Sequence, residues 1–215
     1  MSPTGGRPRD PAIGAAVLAA TIELLREDGY TGFALEKAAV RAGTTKAAIR
    51  RRWPVRQRLV IDALASVLVT PPTPDTHCTR CDLQQSVELL AEALDTRLPQ
   101  GVLAPLVAEC AADPELHRHL LTALVEPSRS AAEVAVRRAV DRGDLRPDTD
   151  PGLVVDLFAS VVYQRALLGT APLDRAAARR LTDLLLRGVA VDFDRLVEIS
   201  RLPAAHRHPQ STTRS

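Results

Sequence analysis

The chain has 215 residues, 46% of them hydrophobic but only 3% aromatic, and a formal net charge of +2. That length and apolar content allow a substantial core and exclude a chain disordered throughout. Ala, Leu and Val abound with little β-branched alternation, which excludes a sandwich or barrel and predicts an all-α protein. The charge is unevenly placed: residues 1–60 hold eleven Arg and Lys against five Asp and Glu, and the remainder holds seventeen against twenty-one. A basic N-terminal third joined to a mildly acidic remainder suits one part that meets a polyanion and another that does not.

Residues 1–10 read as a flexible basic arm rich in Pro and Gly, carrying Arg7 and Arg9. Asp10 before Pro11 is an N-cap followed by the residue best tolerated in a first helical turn. Ile13, Val17, Ala20 and Leu24 then recur at helical spacing until Gly29. Ala34 to Ala42 predicts a second helix with Leu35, Ala38 and Ala39 facing inward, ended at Gly43, where a left-handed turn is needed. Thr45 caps a third helix, "KAAIRRRW", which Pro54 stops. Two short helices joined by a tight Gly-containing turn are a helix-turn-helix unit. A fourth helix takes Val55 to about Thr70, with Leu59, Val60, Ala63, Leu64, Val67 and Leu68 as its apolar stripe.

Three prolines in "TPPTPDTHCTRCD" place a domain junction near residues 70–80. Beyond it the pattern predicts a helix over Leu83–Leu98, a short apolar one in "GVLAPLVAECAAD", and a long one over Pro114–Arg142, kinked or broken at Pro127. The turn-rich "RGDLRPDTDP" separates these from two long helices, Asp150–Leu168 and Asp174–Arg201. The domain organisation is then a flexible arm (1–10), a helix-turn-helix domain (11–70), a larger helical domain (71–202) and a disordered tail (203–215).

The stretch "GTTKAAIRRRWPVRQR", Gly43 to Arg58, holds five arginines, one lysine and no acid. A recognition helix must bury one face and send cations and small side chains from the other into a major groove. Ile49 and Trp53, four apart, supply the buried side. Thr44, Thr45, Lys46, Ala47, Ala48, Arg50, Arg51 and Arg52 are the candidate DNA contacts: the small residues allow close approach and methyl contact with thymine, and the cations reach phosphate or guanine. Arg56, at the start of the next helix, adds a phosphate clamp, and Arg7 and Arg9 track the backbone or a minor groove.

Gly29 to Val60, "GYTGFALEKAAVRAGTTKAAIRRRWPVRQRLV", resembles the DNA-binding domain of the TetR-type transcriptional regulators. The resemblance rests on "GY" after helix 1, the "AxxAG" turn at Ala39 to Gly43, the "TK" helix start, and "RRWP" before a helix carrying "LV". It covers residues 11–68 well, and "RAVDRGDLRPDTDPGLVVDL" is the most family-like piece of the remainder. Arg50 stands where the family usually has a phosphate-binding Tyr, Thr44 where an apolar residue is usual, Arg56 in place of a common Lys, and Ala34 in place of the usual capping Thr or Ser. The missing cap is expected to cost about 1 kcal/mol.

The resemblance implies a three-helix DNA-binding domain joined to a larger ligand-binding and dimerisation domain. It places an effector pocket between Leu83 and about Leu168, where Glu109, Cys110, His117, Tyr163, Gln164 and Arg165 are the candidate polar groups. It also pairs the last two helices with those of a second copy, with Leu157, Phe158, Val161, Leu181, Leu184 and Leu185 in the interface and Gly188 allowing close approach. The leading reading is therefore a homodimeric repressor, bound to a palindromic double-stranded operator and released by a small-molecule effector. A helical enzyme and a protein-interaction module using the basic face are the alternatives.

No Gly-rich phosphate loop, HExxH pair or GxSxG elbow supports an enzyme, and no cofactor is expected. "HCTRC", His77 to Cys81, reads as an inert loop by default, with zinc binding or dithiol cycling at Cys78 and Cys81 as the sharper alternative; no metal site is assigned. Three cysteines argue against a secreted disulfide framework. No membrane-spanning run or cleavable signal is expected, which points to the cytoplasm.

Overall fold

The computed structural model describes residues 11–68, 70 and 72–207. The expected arm with Arg7 and Arg9, and the tail beyond residue 207, lie outside the described residues. Among those described, the chain is all-α apart from one isolated antiparallel bridge between Leu145 and Ala190. The helices are α1 (Pro11–Gly32), α2 (Leu35–Arg41), α3 (Lys46–Arg52), α4 (Arg56–Val67), α5 (Thr79–Glu92), α6 (Leu103–Cys110), α7 (Pro114–Leu120), α8 (Glu126–Asp141), α9 (Pro151–Leu168), α10 (Arg175–Val189) and α11 (Phe193–Arg201).

They form two compact units. Among the described residues, the first takes those up to Leu68 together with Leu98–Ala123, hence α1–α4 with α6 and α7; the second takes those from residue 70 to Arg97 and those from Leu124. This division differs from a boundary near residue 70, because α6 and α7 pack on α4.

In the first unit, α1 runs helically to Asp28 and is interrupted at Gly29, whose φ of 68° is costly for any residue with a Cβ. Its apolar face, with Val17, Leu24 and Leu25, is buried, as are Leu59, Val60 and Leu64 of α4, the helix it packs on, and Leu106 of α6. Each such side chain contributes about 1.5–3 kcal/mol through burial. Asp113 caps α7 by accepting from the amides of Glu115 (2.9 Å) and Leu116 (3.1 Å).

In the second unit, α5 lies against α8, α9, α10 and α11. Buried Arg80 joins three of these elements. Its Nε and Nη2 donate to the two oxygens of Asp183 on α10 (2.6 and 2.9 Å), and its Nη1 donates to Ser200 on α11 (2.9 Å).

Four expected features change. Helix α5 begins at Thr79 rather than Leu83, because Cys78 serves as its N-cap and its Sγ accepts from the Cys81 amide at 3.2 Å. The break expected at Pro127 falls just ahead of it: a wider π-helical turn at Leu121–Val125 separates α7 from α8, and Pro127 occupies the first turn of α8, where no amide is needed. The single helix expected over Asp174–Arg201 is two, since Ala190 turns extended to bridge Leu145 and Asp192 caps α11 by accepting from the Arg195 amide at 3.0 Å.

Finally, α9, with 18 residues and a mean hydropathy of 1.3, is by length and composition apolar enough to cross a membrane, although no such run was expected. Asp156 and Arg165 lie within it, and averaging over the helix dilutes them; Asp156 pairs with Arg129 at 2.9 Å.

Candidate nucleic-acid interface

The turn between α2 and α3 is built locally. Gly43 takes φ 63°, the Thr44 amide returns to the Ala39 carbonyl at 2.9 Å, and Thr45 Oγ1 accepts from the Ala48 amide at 3.1 Å. Helix α3 has only seven residues and would not hold its shape alone. Burial of Ile49 (1% exposed) and Trp53 (3%) fixes it to the unit. The opposite face carries exposed Ala47, Arg50 and Arg51, with Lys46 and Ala48 half-exposed. Arg50 and Arg51 make no hydrogen bond or ion pair among the described residues.

Among the described residues, the remaining predicted cations are engaged within the protein. Lys46 is ion-paired with Glu36 of α2. A hydrogen bond from Lys46, then one from its own backbone, holds the Glu36 carboxyl below its ordinary range. Arg52 turns away from the Arg50–Arg51 face: its guanidinium stacks 4.7 Å from the Trp53 ring centroid and lies so close to Gly14 of α1 that a Cβ there would meet Nη1 at 2.1 Å.

Arg56 is engaged as well. It stacks 4.4 Å over the Tyr30 ring, and its Nη2 donates to Glu109 Oε1 at 3.3 Å. Tyr30 and Gln57 donate to the other oxygen of Glu109, at 2.6 and 2.8 Å. Burial, followed by the bond to Glu109, raises the Tyr30 hydroxyl well above its ordinary range. The bond from Tyr30, with help from Gln57 and Arg56, lowers the Glu109 carboxyl.

Glu109, an expected effector contact, therefore anchors α6 to α1 and α4. Cys110 is fully buried with its thiol pushed up by that burial, and His117 is exposed on α7. Tyr163, Gln164 and Arg165 belong to the second unit. The Tyr163 hydroxyl, raised by burial, donates to the Leu124 carbonyl at 3.4 Å; Gln164 is exposed, and Arg165 donates to the Ala171 carbonyl at 2.8 Å. The six candidates are thus divided between the units, and neither unit gathers them all.

Of the expected dimer residues, Leu157 (45%) and Leu184 (69%) are exposed, Gly188 has open space before it, and Val161, Leu181 and Leu185 are half-buried. Phe158 instead points into its own unit at 6% exposure. Leu153, at 57%, joins the exposed set without having been expected there.

Cys78 and Cys81, expected as an inert loop, form a disulfide across the first turn of α5, where their Cα atoms are 5.2 Å apart. Among the described residues no three His, Cys, Asp or Glu side chains gather as metal ligands would.

The sequence pattern does not announce Glu36, Tyr30, Asp62 and His119 as partners of α3 and its surroundings. One signal was available: the lone tryptophan carries an N–H that needs an acceptor when buried.

Residues 73–185 match the family described as "Tetracyclin repressor-like, C-terminal domain". An HTH-type transcriptional regulator of Bacillus subtilis (strain 168), YdeS, is 28% identical over 88% of this chain and 96% of its own length. The "DNA-binding transcriptional repressor TetR" of Mycobacteroides abscessus is 30% identical over 80% of this chain and 90% of its own. Among solved structures, the TetR family transcription regulator SCO0332 superposes with a TM-score of 0.65 at 30% identity, covering 83% of this chain and 98% of that one. A TetR regulator from Agrobacterium tumefaciens gives 0.66 at 22% identity over 86% and 97%, a likeness of fold. With its helix-turn-helix joined to a C-terminal domain of the matching kind, the chain belongs to the TetR family of transcriptional regulators and is not an enzyme.

Proposed function

We propose that the protein is a homodimeric repressor that reads a palindromic operator through Lys46, Ala47, Arg50 and Arg51 and leaves it when a small molecule binds the helical domain. One observation carries the DNA contact. Arg50 and Arg51 stand exposed beside Ala47 on a helix whose opposite face is locked by Ile49 and Trp53. Cations and a methyl on one face of a short exposed helix suit a major groove.

The exposed leucines Leu153, Leu157 and Leu184 favour a second copy, and two copies bring two recognition helices to successive grooves. The name repressor, carried by the M. abscessus relative, supports repression over activation. An effector acts by linkage: it lowers operator affinity only by as much as it prefers the unbound conformation.

The experiment is selection of a duplex from a randomised pool, followed by titration at several salt concentrations. A palindromic winner, lost in Lys46→Ala and Arg50→Ala, bears the reading out, with each substitution reducing the salt slope by about one. Leu184→Asp is expected to give monomers by sedimentation and to bind the palindrome far more weakly. Equal binding of every sequence would refute it.

A further inference from the structure

We infer that Asp62 and His119 are positioning residues for DNA binding, acting through Trp53 to set the recognition helix. The inference rests on the reading of α3 as the DNA-contacting element. Trp53 is the C-cap of α3, its amide bonded to the Ile49 carbonyl at 2.8 Å, and its indole is buried beneath the helix end. A buried indole N–H requires an acceptor. It has one in Asp62 of α4, where Nε1 donates to Oδ2 at 2.7 Å. The second oxygen is occupied as well, by His119 of α7 through Nε2 at 2.6 Å. A carboxylate only accepts, so Nε2 carries the proton in this contact.

The result is a chain of two short charge-assisted bonds, running from α7 through α4 to the last turn of the recognition helix, within the first unit. Asp62 lies on a helix otherwise lined by fully buried Leu59, Val60, Ile61, Ala63 and Leu64, so packing supplies the attraction between α1 and α4 without it. What Asp62 adds is direction. An apolar contact tolerates sliding and rotation of an aromatic ring, whereas a hydrogen bond of 2.7 Å to one indole nitrogen does not.

Arg52 closes the other side by stacking on the same ring, so the indole is held from its edge by Asp62 and over its face by Arg52. Arg50 and Arg51 project from the turn that this arrangement fixes. Anything that shifts α7 acts on them through His119 and Asp62. An error of about 1 Å in an aligned bidentate contact is enough to forfeit it.

Trp53 is the only tryptophan in the chain, so its emission reports the clamp directly. The test uses the full chain and a labelled duplex that the wild type selects from a randomised pool, at a temperature where circular dichroism shows every variant folded. Asp62→Leu and Trp53→Phe each weaken binding about tenfold, the size of one lost charge-assisted bond, and the double variant is no weaker than either alone. Asp62→Asn, which keeps an acceptor but not the charge, and His119→Ala fall between and both shift the Trp53 emission. His119→Gln, which restores a donor, recovers the wild-type spectrum and affinity.

Unchanged affinity in Asp62→Leu, or additive losses in the double variant, overturns the inference and leaves Asp62 as a residue of stability alone. The paired Lys46→Ala, Arg50→Ala variant keeps the two failures apart. If it binds the duplex as the wild type does, the recognition-helix reading itself is wrong; if it fails while Asp62→Leu binds normally, only the clamp is.

Discussion

Lys46, the first residue of α3, is ion-paired with Glu36 on the helix before it. An acid stands beside the face that would meet phosphate, and it competes for the cation there. Glu36→Gln is therefore expected to tighten duplex binding about threefold for all sequences alike and to steepen the dependence of log K on log salt. Titration at several salt concentrations checks this, and an unchanged slope would show that Lys46 meets no phosphate.

Ala34 is the N-cap of α2, in extended conformation and with no side chain to bond the first amides. Ala34→Ser supplies that acceptor. It is expected to stabilise the fold by about 1 kcal/mol, raising the melting temperature by about 2–4 °C with no loss of operator affinity. Calorimetry of the two proteins decides it.

Glu109 is held below its ordinary value of 4.5, first by the hydrogen bond from Tyr30 and then by Gln57 and Arg56. The folded protein thus prefers the charged carboxylate more than the unfolded chain does. The associated stability is present above about pH 4.5 and is lost as the pH falls through the lower folded value. Glu109→Gln should be less stable than the wild type near neutrality and lose less between about pH 5 and pH 3. Tyr30→Phe, by removing the leading cause, should flatten the same acid limb, as urea unfolding across that range will reveal.

Cys110 is fully buried and its thiol is raised by burial, while Cys78 and Cys81 are joined. A thiol reagent is expected to find no reactive group in the folded protein, one after unfolding without reductant, and three after unfolding with it. Three in the absence of reductant would show that the pair is reduced in the isolated protein.

The features legible in the sequence are those whose cause is local. Gly29 and Gly43 take positive φ because the chain must turn there, and Thr45 caps a helix with its own side chain. The buried pair Ile49 and Trp53 followed from helical spacing. What escaped depends on partners far along the chain. Arg56 reads as an open cation until Tyr30 lies under it and Glu109, 53 residues on, reaches its guanidinium. Arg52 reads the same way until Gly14 makes room for it. The break between α10 and α11 arises from Ala190 pairing with Leu145, a contact that no periodicity within either helix announces. Cys78 was taken for loop because cysteine is not among the residues expected to cap a helix.

The polypeptide enters the first unit twice, since Leu98–Ala123 fold with the residues before Leu68. The prolines after residue 70 directly precede the residues 73–185 that match the C-terminal family domain, yet contacts within the first unit also reach past that point. A chimera joined there, carrying these N-terminal residues on the body of another regulator, would leave behind Glu109, Glu115 and His119, the partners of Tyr30, Arg58 and Asp62. A helix-turn-helix exchanged between relatives is therefore expected to keep its fold best when α6 and α7 travel with it.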